Sequence, residues 1–95
     1  MIFVINGLKY DTCKMELVSD KCEYFYSGTF FYTSLTRLGR DVKLWRSKNG
    51  RWLLTYKGNY EHSHAVALTE EEARKYLLKY DVEAYEKTFG ELEEA

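Results

Sequence analysis

Four side chains of this 95-residue chain are soft or borderline metal ligands. They are the two cysteines and the two histidines of the sequence, Cys13, Cys22, His62 and His64. Two thiolates and two imidazoles suit tetrahedral zinc, and such a zinc would be structural because four protein ligands leave no open position. His62 and His64 are two residues apart, so in a strand both imidazoles project from one face. The donor set therefore predicts a structural zinc site.

The alternative is that no metal binds here. Cys13 and Cys22 are separated by eight residues, whereas standard zinc modules separate paired cysteines by two to four. In this interpretation the cysteines are small apolar side chains, which are frequently buried, and the histidines are exposed.

Basic and aromatic side chains are interleaved in the middle of the chain. The cations Arg46, Lys48 and Arg51 lie between Trp45 and Trp52. Cations that contact phosphates and rings that stack on bases are what single-stranded nucleic acid requires, so these three cations are candidate nucleic-acid contacts. The alternative is that they solvate the outer face of a hairpin and protect its edge from aggregation. The net charge of −1 argues against direct nucleic-acid binding.

Two aromatic triplets suggest a surface for a protein partner. They are Tyr24-Phe25-Tyr26 and Phe30-Phe31-Tyr32. Some of these rings must face outward unless both sheet faces are covered, and exposed aromatic residues are common anchors of protein interfaces. We predict that Tyr24, Tyr26 and Phe31 contact a partner. The alternative is a two-sided core that buries the rings.

The charge of the chain is distributed unevenly. Residues 1–60 contain ten basic and five acidic side chains, a net charge of +5, whereas residues 61–95 contain four basic and ten acidic ones, a net charge of −6. An acidic surface favours a basic partner, so we predict that Glu83 and Glu86 contact one. The alternative is an ordinary solvated helix face.

The sequence contains no motif that identifies a reaction. It has no glycine-rich phosphate loop, nucleophile elbow or metal-hydrolase motif. We therefore predict no catalytic residue and a protein that is not an enzyme.

Strand-like segments that must position these residues fill the first two-thirds of the chain. The predicted strands lie in a hairpin over 2–10 that turns at Asn6-Gly7, a strand over 15–26 with a break near Ser19-Asp20, a strand over 29–35 after a turn at Ser27-Gly28, a hairpin over 42–57, and a last strand over 60–68.

The central hairpin has two candidate registers around Asn49-Gly50. A two-residue loop pairs Trp45 with Leu54 and places both tryptophans on one face. A three-residue loop with a glycine bulge pairs Leu44 with Leu54 and divides the tryptophans between the faces. The first register gives the more coherent apolar face, so it is the one that we predict.

Helix signals occupy the last third. Thr69 and Glu72 have the spacing of a capping box, and a helix with an apolar stripe follows. Asp81 is placed to cap a second helix, whose apolar stripe is Val82, Tyr85 and Phe89 and which ends at Gly90.

Strands followed by helices predict an α+β fold. We expect a twisted antiparallel sheet of four to six strands, built from hairpins, with one or two C-terminal helices packed on one face. The predicted organisation is one domain over residues 1–95, with the sheet in 1–68, the helices in 69–90 and an acidic tail in 91–95. No apolar run approaches the ~20 residues that span a bilayer, so we predict a cytoplasmic protein without a membrane partner and with reduced thiols.

The turn and cap sequences resemble a family of small proteins. The segments that carry the resemblance are Asn6-Gly7-Leu8-Lys9-Tyr10-Asp11-Thr12, Glu16-Leu17-Val18, the central hairpin, Leu68-Thr69-Glu70-Glu71-Glu72-Ala73-Arg74 and Phe89-Gly90-Glu91. Together they are similar to single-domain proteins carried by phages and mobile elements of Gram-positive bacteria. The resemblance implies an α+β fold and a mobile-element origin, and it transfers no catalytic residue. The chain departs from the family pattern at Cys13 and at residues 60–64, and both departures contain predicted zinc ligands.

The resemblance also implies a function. Some proteins of such elements are anti-CRISPR proteins, which bind a CRISPR effector nuclease. We therefore predict a non-enzymatic inhibitor that binds a CRISPR effector and blocks nucleic-acid loading or activation. Two alternatives stay open: a small nucleic-acid-binding regulator that uses the basic aromatic hairpin, and an accessory phage protein that self-associates.

Overall fold

The computed structural model describes residues 1–30, 33–58 and 62–95. The described chain contains strands, one 3₁₀ turn over Thr12–Lys14 and two C-terminal α-helices. The elements are β1 (Ile2–Ile5), β2 (Leu8–Asp11), β3 (Glu16–Ser19), β4 (Phe25–Phe30), β5 (Thr33–Leu38), β6 (Arg40–Arg46), β7 (Trp52–Lys57), β8 (Ser63–Leu68), α1 (Glu70–Tyr80) and α2 (Val82–Phe89).

Four strands form the main antiparallel sheet in the order β3-β6-β7-β8. Helix α1 contacts β8 and helix α2 contacts β3, so the helices cover one face. On that face Leu44, Trp52 and Leu54 are almost completely buried together with Ala73 and Leu77 of α1. This arrangement confirms the predicted α+β fold with C-terminal helices on one face of an antiparallel sheet.

The opposite face of the sheet is also partly covered. Leu53 has no exposed surface, and half-buried Trp45 donates its Nε1–H to Thr55 Oγ1 at 2.9 Å. Strand β1 contacts β8, and Phe3 lines a cleft together with Trp45 and Thr55. The β1–β2 hairpin therefore lies over part of this second face.

The β1–β2 hairpin has the predicted two-residue turn. Ile5 pairs with Leu8, and Asn6 and Gly7 have φ values of 52° and 77°. Positive φ at both central residues defines the type I′ turn, whose twist matches that of the flanking strands. The prediction for residues 2–10 is confirmed.

The β6–β7 hairpin uses the other register, so the predicted one is wrong. Leu44 pairs with Leu54. The Ser47 N–H donates to the Arg51 carbonyl at 2.8 Å, and the Gly50 N–H donates to the Ser47 carbonyl at 3.0 Å. Gly50 has a φ of 78°, which is the glycine bulge of a three-residue loop.

Burial explains why this register is the stable one. It joins the apolar β6 residues Val42 and Leu44, which face the helices, to Trp52 and Leu54 of β7. The two-residue loop would instead turn Lys43 toward the helices, where a buried ammonium group has no partner. In the structure Lys43 forms a surface ion pair instead.

Strands β4 and β5 form a separate two-stranded antiparallel sheet, which we call the ribbon. Its pairing runs from Phe25 opposite Leu38 to Phe30 opposite Thr33. The predicted turn at Ser27-Gly28 and the predicted single strand over 29–35 are therefore wrong. A glycine inside a strand weakens it without ending the pairing, and β4 continues through Gly28.

The predicted strand over 15–26 is also interrupted. Strand β3 ends at Ser19, and β4 begins only at Phe25, so the predicted break near Ser19-Asp20 is confirmed. The buried Ser19 hydroxyl donates to the Asp81 carboxylate at 2.6 Å. This bond ties the end of β3 to the junction of the two helices.

Both helices begin at the predicted capping residues. Thr69 Oγ1 accepts from the Glu72 N–H at 3.1 Å and the Thr69 N–H donates to the Glu72 carboxylate at 3.0 Å, which completes the capping box. Asp81 accepts from the Ala84 N–H at 3.1 Å and caps α2. None of the described helices is both long and apolar enough to cross a bilayer.

One detail of α2 differs from the prediction. Phe89 stacks against Trp52 with ring centroids 5.7 Å apart, but Val82 is 45% exposed. Val82 is the first residue of α2, next to the Asp81 cap, so it lies at the end of the helix instead of on its buried stripe.

Candidate functional site

Aromatic rings join the base of the ribbon to the main sheet. The centroid of the Tyr56 ring in β7 lies 4.8 Å from that of Tyr24 and 5.2 Å from that of Tyr26. The His64 imidazole of β8 stacks on Tyr56 at 5.2 Å. Aromatic pairs contribute about 0.5–1.5 kcal/mol each beyond the area that they bury. The stack therefore holds the ribbon base against β7 and β8.

Gly39 brings the end of β5 onto the same stack. Its N–H donates to the Tyr24 carbonyl at 2.7 Å. A Cβ at this position would lie 3.1 Å from both Cβ and Cδ2 of Tyr56. Because glycine has no Cβ, the backbone approaches the ring at this position without displacing it.

The ribbon exposes a pair of large apolar side chains beside this base. Phe25 is 56% exposed and Leu38 is 51% exposed. The two residues are directly opposite each other in the β4–β5 register, so their side chains are neighbours on one face of the ribbon. They face away from the tyrosine stack, because Phe25 alternates with Tyr24 and Tyr26.

Phe25 also lines a groove between the ribbon and α1. The groove has a volume of about 510 Å³. Its other lining residues are Glu23, Glu72, Lys75, Tyr76, Lys79 and Tyr80. Three aromatic and four charged side chains line the groove, and protein interfaces likewise combine aromatic residues with polar ones. We call this groove together with Leu38 the ribbon surface.

Burial shifts the pKa of two tyrosines near the ribbon, Tyr56 and Tyr76. It raises the pKa of the Tyr56 phenol above its usual value of 10.0, and the neighbouring Tyr24 and Tyr26 add to the effect. Burial likewise raises the pKa of Tyr76, with further contributions from Tyr24 and Glu72. Phenols that stay protonated act as hydrogen-bond donors, not as bases.

The residues predicted to contact a partner fall into three groups. Tyr24 and Tyr26 are half-buried, and their rings are packed on Tyr56 within the molecule. Phe31 lies outside the described residues. Glu83 is exposed, whereas Glu86 is half-buried and accepts a hydrogen bond from the Leu92 N–H at 2.9 Å.

Sequence reasoning missed Phe25 and Leu38 as a pair. The predicted turn at Ser27-Gly28 paired Phe25 with the residues just after that turn, whereas the structure pairs it with Leu38. The available signal was the alternation of Phe25 with the two flanking tyrosines. Once the tyrosines face the sheet, a period of two turns Phe25 outward.

The structure does not bring the four predicted zinc ligands together. Cys13 is exposed on the 3₁₀ turn, Cys22 is buried with its sulfur 3.8 Å from Ser19 Oγ, and His62 and His64 are exposed on and beside β8. Within the part of the chain that the structure describes, no three His, Cys, Asp or Glu side chains are placed to share a metal ion.

The predicted nucleic-acid contacts lie at the β6–β7 turn. The Arg46 guanidinium lies over the Trp52 ring at 5.7 Å and pairs with the Glu16 carboxylate at 3.4 Å. Lys48 and Arg51 are exposed on the turn itself. Arg46 thus packs within the molecule, and the two turn residues face solvent.

One buried polar cluster joins groups that elsewhere perform catalysis. The Ser19 hydroxyl lies between the Asp81 carboxylate and the Cys22 thiol. Burial raises the pKa of the Cys22 thiol above its usual value of 9.0, so the thiol stays protonated, the form that is a poor nucleophile. Asp81 also caps α2, so we assign the cluster to the junction between β3 and the helices.

Comparison with known proteins adds no relative. Neither a family model, nor a curated protein, nor a solved structure matches this chain.

Proposed function

We propose that this chain is a non-enzymatic inhibitor that binds a partner protein through the ribbon surface. The observation that carries the proposal is the exposed Phe25–Leu38 pair, because two large apolar side chains are held next to each other in water. Contiguous exposed apolar side chains with a polar rim mark interaction sites more often than scattered ones do. Burying such a central pair contributes about 2 kcal/mol or more to binding in many interfaces.

The backbone of the ribbon supports the same proposal. Among the described strands, β4 and β5 pair only with each other. Each therefore has an outer edge whose N–H and C=O groups can pair with an added strand. Strand addition at an exposed edge provides main-chain hydrogen bonds, and neighbouring side-chain pockets provide specificity.

We propose a CRISPR effector nuclease in the cytoplasm of a bacterial host as the partner. This proposal is supported by the resemblance of the turn and cap sequences to small proteins of phages and mobile elements. The exposed Glu83 of α2 and the net charge of −6 in residues 61–95 favour a basic partner surface. Such a surface on an effector nuclease binds nucleic acid, so an inhibitor that occupies it would block loading or activation.

The experiment is a cleavage assay with purified effector nucleases of Gram-positive bacteria. The chain is added at increasing molar ratio before the guide and target, and the same mixtures are run on a sizing column. The account predicts loss of cleavage near equimolar ratio and co-elution with one effector. Unchanged cleavage by every effector would contradict the proposed partner.

Matched variants test whether inhibition depends on the ribbon surface or on any exposed apolar side chain. Phe25→Ser with Leu38→Ser removes both exposed side chains and should weaken inhibition at least about tenfold. Val4→Ser is the control, because Val4 is an apolar strand residue that is 71% exposed and lies outside the ribbon. Equal inhibition by the double variant and the control would contradict the assignment to the ribbon surface.

The sizing column also tests the alternative of self-association. If the ribbon edges pair with a second copy, the chain alone elutes earlier as its concentration rises, and Phe25→Ser with Leu38→Ser abolishes the shift. That result, without co-elution of any effector, would replace the inhibitor proposal.

A further inference from the structure

Two adjoining clefts lie between the 3₁₀ turn and the β6–β7 turn, away from the ribbon. They share four lining residues, Lys14, Met15, Ser47 and Lys48. The first cleft, of about 760 Å³, is also lined by Cys13, Glu16, Arg46 and Gly50. The second is also lined by Lys9, Tyr10 and Asp11. We call the two together the basic cleft.

The lysines of the basic cleft are not neutralised by neighbouring carboxylates. Among the described residues, the ion pairs within 4.0 Å include none with Lys9, Lys14 or Lys48. Lys9, Lys14 and Lys48 are all exposed. The cleft therefore holds three exposed lysines that, among the described residues, form no ion pair, on a molecule whose net charge is −1.

The two acids of the cleft are already engaged. Asp11 Oδ1 accepts from the Cys13 N–H at 3.1 Å and caps the 3₁₀ turn. Glu16 pairs with Arg46 at 3.4 Å. Glu16 balances Arg46, and Asp11 keeps its charge while capping the turn. Four cations and two carboxylates line the cleft, so its net charge is +2, which favours an external anion.

We propose that the basic cleft binds the phosphodiester backbone of a nucleic acid without reading its bases. Cations that neutralise phosphates release condensed counterions, and this release drives binding without an apolar anchor. Such contacts fix position and carry no sequence information. The site is separate from the ribbon surface, so the inference does not rest on the function proposed above.

The lining of the cleft favours phosphate over a protein partner. Protein interfaces are usually anchored by exposed aromatic or arginine side chains. Here Tyr10 is only 6% exposed, Met15 is half-buried and Arg46 is paired with Glu16. The same lack of an exposed ring removes a platform for base stacking. Phosphate contact is the recognition chemistry that remains for Lys9, Lys14 and Lys48.

The structure adds Lys9 and Lys14 to the cations that the sequence singled out. Both precede Lys48 by more than thirty residues in the sequence, and only the fold brings the three lysines to one cleft. Arg46, by contrast, is balanced by Glu16. The proposed contacts are therefore Lys9, Lys14 and Lys48.

The test uses a fluorescein-labelled oligothymidylate of about 20 nucleotides and measures fluorescence anisotropy in low and high salt. The full chain should bind, and log Kd should rise with log salt with a slope of about 2, the value for three phosphates on a single strand. Lys14→Glu with Lys48→Glu should weaken binding at least about tenfold.

The matched control is Lys21→Glu with Lys87→Glu, which makes the same change of net charge at two exposed lysines outside the cleft. It should change Kd less than about threefold, because long-range charge effects are screened by salt. No binding by the full chain, or equal loss in the two double variants, would overturn the proposal. Unlabelled oligothymidylate and polyglutamate are then compared as competitors at the same charge concentration. If polyglutamate competes as efficiently as oligothymidylate, the proposal is overturned in favour of an acidic polypeptide.

Discussion

The β6–β7 hairpin and the β4–β5 ribbon are built from similar residues and have opposite environments. Each contains aromatic and branched side chains on antiparallel strands. In β6–β7, Leu44, Trp52, Leu53 and Leu54 are at most 1% exposed, since helices cover one face and β3 and β8 flank the pair. In the ribbon, Phe25 is 56% exposed and no other described strand is paired with β4 or β5.

This difference predicts that the two hairpins contribute unequally to the stability of the fold, and that the ribbon has side chains free for the proposed binding. The β6–β7 hairpin forms the centre of the core, so its apolar side chains stabilise the fold. The ribbon is attached through the tyrosine stack at its base, which leaves Phe25 and Leu38 without a buried role. Substitutions in the two hairpins should therefore have different consequences.

The largest effect is expected for Trp52→Ala. Trp52 is 1% exposed and stacks on Phe89, so its loss should lower the free energy of unfolding by about 3–5 kcal/mol. Phe25→Ala in the ribbon should lower it by less than about 1 kcal/mol. Urea unfolding followed by circular dichroism measures both. Similar losses for the two variants would contradict the distinction between core and surface hairpins.

If Trp52→Ala does not fold, Trp52→Phe provides the same comparison. It keeps a ring against Phe89 and leaves a smaller cavity, so the loss should be less than that of a truncation to alanine.

The next effect concerns the attachment of the ribbon. Gly39→Ala places a Cβ 3.1 Å from Tyr56, so the tyrosine stack must shift by a few tenths of an ångström. Overpacking of this kind lowers the free energy of unfolding by about 1–3 kcal/mol. Near-ultraviolet circular dichroism reports the tyrosine environment directly. A variant with unchanged stability and spectrum would show that the stack does not constrain Gly39.

A smaller effect distinguishes the two Asn-Gly turns. Asn6 has a φ of 52°, whereas in the β6–β7 loop the residue with positive φ is Gly50 and not Asn49. Asn6→Ala should therefore lower the free energy of unfolding by about 1 kcal/mol, and Asn49→Ala should have an effect within about 0.5 kcal/mol. Thermal unfolding of the two variants makes the comparison. A larger loss for Asn49→Ala would contradict the three-residue loop.

The two turns also illustrate which parts of the fold could be predicted from the sequence. The α+β fold, the first hairpin and both helix starts follow from local patterns, because Asn6-Gly7, Thr69 and Asp81 act within a few residues of themselves. The register at Asn49-Gly50 could not be predicted from the turn sequence alone. It depends on whether Lys43 faces the helices or the solvent, and that depends on the tertiary fold. The ribbon was missed for a similar reason: Gly28 is a turn signal by type, and pairing across the strands overrides it.

The candidate sites were likewise predictable in the types of their residues but not in the neighbours of those residues. The types of the cations and of the cysteines and histidines are visible in the sequence, but their spatial neighbours are not. Lys14 lies beside Lys48 because the 3₁₀ turn meets the β6–β7 turn. Cys13 and Cys22 are kept apart because one is on that exposed turn and the other is buried beside Ser19.

The smallest effect is a loss of stability at high pH. Burial raises the pKa of Cys22 above 9.0 and that of Tyr56 and Tyr76 above 10.0. A raised pKa means that the folded state holds the proton more tightly, so this contribution is complete below the unfolded pKa and is lost as pH rises through the folded one. The free energy of unfolding should fall above pH 9. Urea midpoints between neutral pH and this range measure it.

Cys22→Ala separates the thiol from the phenols. The variant should lose the part of the decline that begins near pH 9 and keep the part due to Tyr56 and Tyr76. An unchanged profile in Cys22→Ala would contradict the role given to the buried thiol.

The measurement that tests the central claim most directly is hydrogen–deuterium exchange of the chain, alone and bound to the effector with which it co-elutes. The account predicts slower exchange on binding in Phe25–Phe30 and Thr33–Leu38, the strands with open edges, and in the part of α1 that lines the groove. The β6–β7 hairpin should exchange slowly in both states, because it is already buried in the chain alone. Unchanged exchange in both ribbon strands, with protection confined to another part of the chain, would contradict the ribbon surface as the binding site.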